Sequence, residues 1–98
     1  MKKDAILINT SRGEIVNTEA VARAIREERI WGAGIDTFDP EPALPSDSLI
    51  ALEEPYSYHV AISPHIGGTT EAAFANMYKI FWNNVRALSE GKEPLTKV

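Results

Sequence analysis

Three apolar runs, Ala5-Ile6-Leu7-Ile8, Ile30-Trp31-Gly32-Ala33-Gly34-Ile35 and His59-Val60-Ala61-Ile62, are separated by far more chain than a hairpin loop needs. Strands connected over such distances pair in parallel, because a crossover must return the chain to the end of the sheet where it began. The first run is compact rather than alternating, which suits a strand buried on both faces. Between the first two runs, Asn17 or Thr18 can cap a helix reaching about Arg29, with Val21, Ala24 and Ile25 on one face and charges on the other. The pattern predicts an α/β chain of the doubly wound type, with about three parallel strands, flanking helices and ligands at the carboxyl ends of the strands.

The second crossover differs from the first. From Phe38 to Tyr58 it is proline-rich, acidic and polar, with Ser46-Asp47-Ser48-Leu49-Ile50-Ala51-Leu52 reading as a short capped helix. So long a loop inside a small domain is more often functional than idle. His59 opens the third run and reads as structural. After Gly67-Gly68, Thr69 or Thr70 caps the longest helix, in which Phe74, Met77, Tyr78, Phe81, Val85 and Leu88 recur at helical spacing until Gly91 and Pro94 close it. Trp82 widens its apolar face, and this helix is expected to supply most of the burial.

A chain of 98 residues is bounded to one domain, and at that size only about 60 to 70 per cent of the unfolded surface is buried. A net charge of -4 without a basic patch argues against generic nucleic-acid or anionic-membrane binding. The absence of cysteine removes disulfide and zinc-ribbon frameworks. No stretch approaches the roughly 20 apolar residues of a membrane span, so cytoplasmic residence is expected, and no metal site is.

Chemistry gathers where the strands end. Ile8-Asn9-Thr10-Ser11-Arg12-Gly13, Asp36-Thr37-Phe38-Asp39-Pro40-Glu41-Pro42 and Ser63-Pro64-His65-Ile66-Gly67-Gly68 each follow an apolar run. An arginine, a carboxylate and a histidine delivered in this way can converge on an anionic carbonyl compound. Taken singly, each has a plainer reading: Arg12 as a surface arginine, His65 as a turn residue after proline, Glu41 as a solvated loop carboxylate, and Asp36 as an acceptor for its own loop backbone. Their joint placement favours the catalytic reading. Gly32-Ala33-Gly34 begins like a dinucleotide fingerprint but lacks the third glycine and a following helix, so it is not read as one.

Asn9 to Asn17, Gly32 to Phe38 with Glu41-Pro42, and Pro64 to Gly68 together resemble, in order, the signatures of the D-isomer-specific 2-hydroxyacid dehydrogenases. Gly91-Lys92-Glu93-Pro94-Leu95 is similar to that family's tail. The resemblance implies a partial Rossmann-like fold and hydride transfer between NAD, or NADP, and a small 2-hydroxy or 2-keto acid. It further implies that Arg12 binds the substrate carboxylate, and that His65 exchanges a proton with the C2 oxygen while Glu41 orients the imidazole. Thr10, Ser11 and Asp36 would lie by the nicotinamide amide, while Gly67 and Gly68 would let backbone approach the reacting atoms.

The family's glycine-rich phosphate loop and substrate domain have no counterpart in these 98 residues. The expectation is therefore the C-terminal portion of a dinucleotide-binding domain that alone binds cofactor weakly and is catalytically silent. It should form a homo-oligomer or associate with a missing half. Glu53 to Tyr58 departs from the family in being longer and more polar. A glutamine would be expected at Glu41 in a formate dehydrogenase, so the carboxylate favours hydroxy-acid chemistry. A non-catalytic binding module, as in the family's corepressors, and an inactive remnant of a truncated gene both stay open.

Overall fold

Ile6–Asn9, Gly32–Ile35 and Val60–Ile62 form strands β1, β2 and β3 of one parallel sheet, ordered β1-β2-β3. Its register sets Leu7 beside Ala33 and Asn9 beside Ile35 on one side, and Ala33 beside Val60 and Ile35 beside Ile62 on the other. These residues share one face. The computed structural model describes residues 1–96 and divides into two compact units, Met1–Gly67 and one from Gly68 onward.

In the first unit, helix α1 (Thr18–Arg26) begins where Asn17 accepts a hydrogen bond from the Ala20 N–H at 2.9 Å. It stops short of Arg29, because Glu28 takes a left-handed backbone with φ 51°. Val21, Ala22 and Ile25 of α1 pack with Ile30, Ala33, Ile35, Phe38, Leu49 and Leu52 to form the core. The expected burial of β1 on both faces is corrected: Ile6 and Ile8 are 53% and 71% exposed, whereas Leu7 packs against the core. An edge strand with α1 on one side of its sheet buries only alternate residues.

Residues 46–52 form turns rather than the expected helix. Asp47 Oδ1 accepts from the Leu49 N–H at 2.9 Å, and its Oδ2 accepts from the Thr18 hydroxyl at 2.8 Å. That carboxylate ties a single turn to the start of α1, so Leu49 and Leu52 are buried without helix propagation. His59 ends a 3₁₀ turn, Tyr56–His59, rather than opening β3, and its ring packs edge-on against Trp31 at 5.0 Å.

The second unit is built on helix α2 (Glu71–Ser89), capped by the Thr70 hydroxyl, which accepts from the Ala73 N–H at 3.1 Å. At the far end Gly91 has φ 68°, its N–H donates to the Leu88 carbonyl, and the Lys92 N–H donates to the Ala87 carbonyl. The cap positions agree with the sequence reading, but the expectation that this helix dominates burial is overturned. No residue of α2 is buried, and the core belongs to the first unit.

Candidate active site

The three motifs fold into loops at the carboxyl ends of β1, β2 and β3, and side chains of the first unit fasten those loops to one another. Asn9, the last residue of β1, is only 4% exposed. Its Nδ2 donates to the Arg12 carbonyl at 2.8 Å, and its Oδ1 accepts from the Ser11 N–H at 3.1 Å. This closes the turn that carries Arg12. The guanidinium stays exposed, with Nη1 donating to the Ser11 carbonyl at 2.7 Å. Gly13 lies so close to the Phe38–Asp39 backbone that a Cβ there would fall within 3.0 Å of Phe38 C and O and Asp39 N. Only glycine permits that approach, and it sets the first loop against the second.

The second loop delivers Glu41. Its Oε1 accepts from the Phe38 N–H at 3.2 Å, and its Oε2 meets His65 Nδ1 at 2.8 Å. An ionised carboxylate can only accept, so Nδ1 carries the proton in this contact and the second ring nitrogen keeps proton-transfer capacity. The His65 hydrogen bond is the largest cause holding Glu41 below its ordinary value; the Phe38 N–H and the charges of His65 and Arg12 add to it, against desolvation. Arg12 thus acts on Glu41 electrostatically.

His65 has φ 55°, a left-handed backbone that costs a non-glycine residue about 1–2 kcal/mol. Asp36, 6% exposed at the end of β2, binds the loop on both sides of it. Asp36 Oδ1 accepts from the Ser63 hydroxyl at 2.6 Å and the Ile66 N–H at 3.0 Å, and Oδ2 accepts from the Gly67 N–H at 2.9 Å. These bonds, Ser63 first and then Gly67 and Ile66, hold the Asp36 carboxyl below its ordinary value. Asp36 is indeed a turn acceptor, though for the loop after the neighbouring strand rather than for its own.

A cleft of ≈ 330 Å³ opens beside this network, lined by the apolar Phe38, Pro42, Ala43, Ile62 and Pro64 and by Asp36, Glu41, Ser63 and His65. Of the candidate residues, Glu41 and His65 are in direct contact, Asp36 and Gly67 are joined, and Arg12 lies outside the cleft lining. Thr10 and Ser11 are exposed in the Arg12 turn, and Gly68 opens the second unit. Asn9, Gly13 and Ser63 carry structural duties that the motif reading passed over. A short polar residue at a strand end, a glycine after the key arginine and a hydroxyl before Pro-His were the available signals.

The parallel sheet carries a histidine–carboxylate pair and an arginine turn at its carboxyl edge, the end at which open α/β sheets bind their ligands. Residues 1–67 match the family model described as D-isomer specific 2-hydroxyacid dehydrogenase, NAD binding domain, and the chain belongs to that family. The chain is 40% identical over 98 residues to a glyoxylate reductase from Thermococcus onnurineus (strain NA1), spanning 100% of this chain and 28% of that protein. Among solved structures, a D-lactate dehydrogenase with NAD+ from Lactobacillus jensenii is 33% identical with TM-score 0.67, matching 100% of this chain and 32% of its own. A D-isomer specific 2-hydroxyacid dehydrogenase from Xanthobacter autotrophicus Py2, in complex with NADPH and MES, is 26% identical with TM-score 0.74, and 38% of it is covered by the whole of this chain. The chain thus spans between a quarter and two fifths of the length of these relatives.

Proposed function

We propose that these residues supply the acid–base and substrate-carboxylate end of an NAD(P)-dependent reductase acting on a small 2-keto acid such as glyoxylate. The observation that carries this reading is the Glu41–His65 contact at 2.8 Å, at the edge where the Arg12 turn is packed against the Phe38 backbone. In reduction the imidazolium of His65 gives its outer proton to the C2 oxygen as that oxygen becomes a hydroxyl. Glu41 keeps the Nδ1 proton in place and orients the ring for transfer. Arg12 offers a planar fork of donors to the substrate carboxylate, a fit that lysine does not reproduce. In oxidation the same histidine accepts the proton.

The cofactor, when bound, supplies or receives the hydride at C2. The fit of this site to a nicotinamide amide rests on Asp36: Oδ2 receives the Gly67 N–H, and a carboxylate oxygen can take a second donor. Asp36 borders the cleft, and Thr10, Ser11, Gly67 and Gly68 complete the proposed cofactor set. We further take residues 1–98 as the C-terminal portion of the dinucleotide-binding domain. They contain no glycine-rich phosphate loop, so they hold the reacting end of the cofactor and contribute little to its affinity. The exposed Ile6 and Ile8 in the first unit, and the exposed Phe74, Tyr78, Phe81 and Trp82 in the second, support association with a second copy or a complementary half.

Two measurements test the reading. Calorimetric titration of the 98-residue chain with NADH should give no micromolar affinity, and tight binding would overturn the assignment of a partial site. A protein containing this chain should reduce glyoxylate or a related 2-keto acid with NADH or NADPH, and Arg12→Ala should abolish that turnover. Absence of turnover would instead favour a binding module, and an unchanged rate in Arg12→Ala would remove Arg12 from the reaction.

A further inference from the structure

We propose that Asp36 and Ser63 form a clamp that positions His65. The carboxylate fixes the backbone on both sides of the histidine, and the Ser63 hydroxyl holds the oxygen on which two of its three bonds converge. This claim rests on the acid–base role proposed above for His65 and adds positioning residues to it.

The geometry is specific. Donors to Asp36 come from residues 63, 66 and 67, which bracket His65 on either side. The backbone that carries this carboxylate is itself anchored, because the Asp36 N–H donates to the Asn9 carbonyl at 2.9 Å. The entry to the loop is fixed as well: the Ser63 N–H donates to the Ile35 carbonyl at 3.0 Å. At the exit, a Cβ on Gly67 would lie 2.9 Å from Asp36 Oδ2, so the absence of a side chain permits that bond. Between these fixed points His65 keeps its left-handed backbone, φ 55°, a conformation that persists only when its surroundings over-determine it.

With the backbone held, the ring torsions are what remain to be set, and Glu41 sets them through Nδ1. If the clamp loosens, the backbone can relax toward commoner conformations and carry the ring away from Glu41. The tautomer of neutral His65 reports that event. A ring bonded through Nδ1 to a carboxylate carries its proton there, whereas an unconstrained imidazole in water favours the proton on Nε2. A loss of global stability alone would not exchange the two tautomers in the molecules that remain folded.

The test is nitrogen-15 NMR of the full chain at about pH 9, where imidazole is neutral, with long-range proton–nitrogen correlations assigning the His65 tautomer. The parent should show the Nδ1–H form. Ser63→Ala and Asp36→Asn should shift His65 to mainly Nε2–H, and Ser63→Thr, which keeps the hydroxyl, should restore the parent form. If Asp36→Asn does not fold, Ser63→Ala decides. Retention of the parent tautomer in Ser63→Ala, or an Nε2–H parent, overturns the clamp. In a protein that turns over 2-keto acid, Ser63→Ala should lower kcat roughly tenfold and leave KM within about twofold, since Arg12 lies on another loop. If no protein containing this chain turns over 2-keto acid, the functional reading fails, while the tautomer measurement still decides the clamp.

Discussion

Replacing Asn9 by alanine tests whether the Arg12 turn is built from the inside. The substitution removes two hydrogen bonds, from Nδ2 to the Arg12 carbonyl at 2.8 Å and from the Ser11 N–H to Oδ1 at 3.1 Å. Both are partly buried, and a hydrogen bond in a folded protein contributes about 0.5–1.5 kcal/mol net. Two of them give about 1–3 kcal/mol, and a loss near 2 kcal/mol lowers Tm by roughly 8–16 °C in a domain of this size. Asn17 is the internal comparison: it makes one exposed cap bond, accepting from the Ala20 N–H, whose loss costs about 1 kcal/mol. Urea unfolding of Asn9→Ala, Asn17→Ala and the parent, with midpoints converted through a shared slope, should therefore rank Asn9 as the costlier position. Asn9→Asp keeps an acceptor for Ser11 but turns a carboxylate oxygen toward the Arg12 carbonyl, so it should be destabilised at least as much as Asn9→Ala. A smaller loss for Asn9→Ala than for Asn17→Ala, or an Asn9→Asp variant as stable as the parent, would refute the reasoning.

Acid should weaken the chain through Asp36 and Glu41. Both carboxyls sit below their ordinary values of 3.8 and 4.5, so in that range the unfolded chain binds more protons than the folded one. Their stabilisation is complete above those values and is lost as pH falls through the lower folded ones. Urea midpoints of the parent should fall between about pH 5 and pH 3 more steeply than those of Asp36→Asn, and parallel curves would count against the network. Arg12→Lys in a protein that turns over 2-keto acid should lose about tenfold or more in kcat/KM, chiefly through KM, because a point charge replaces a two-pronged donor; unchanged kinetics would remove the carboxylate from Arg12. Gly91→Ala should cost about 1–2 kcal/mol from backbone conformation alone, since φ is 68° and, among the described residues, no atom beyond its chain neighbours lies within 4 Å of the added Cβ. A thermal scan with helicity as the signal would reveal it, and no change would mean that the turn relaxes freely.

Local chemistry made much of this molecule readable. Asn17 and Thr70 are short oxygen-bearing residues ahead of periodic apolar runs, and each accepts the expected bond from the third residue onward. Compact apolar runs located all three strands, although His59 was drawn away from β3 into the 3₁₀ turn before it. Periodicity, however, describes a face and not what covers it. Phe74, Met77 and Phe81 keep perfect helical spacing and are still 45%, 56% and 55% exposed. Asp47 misled for a related reason, because a carboxylate that caps its own turn and also binds Thr18 spends on the tertiary fold what would otherwise start a helix.

The network behind His65 lies beyond local reading altogether. Asp36 reaches its donors across 27, 30 and 31 residues of sequence, and Glu41 reaches His65 across 24. Parallel strands bring such residues together because each strand empties its loop onto the same edge as the next. A short polar side chain ending one strand therefore faces the backbone of the loop that follows its neighbour. In this chain Asn9 shows the opposite choice, bonding within its own loop, and the difference follows from what each loop must hold. The β1 loop has to close a tight turn beneath an exposed arginine, which an asparagine with both a donor and an acceptor can do alone. The β3 loop has to hold a histidine in a left-handed backbone with N–H groups on its far side pointing inward, and only a group with acceptors alone satisfies a hydroxyl and two amides at once. Carboxylate at position 36 and amide at position 9 are thus not interchangeable, and exchanging them should damage both loops.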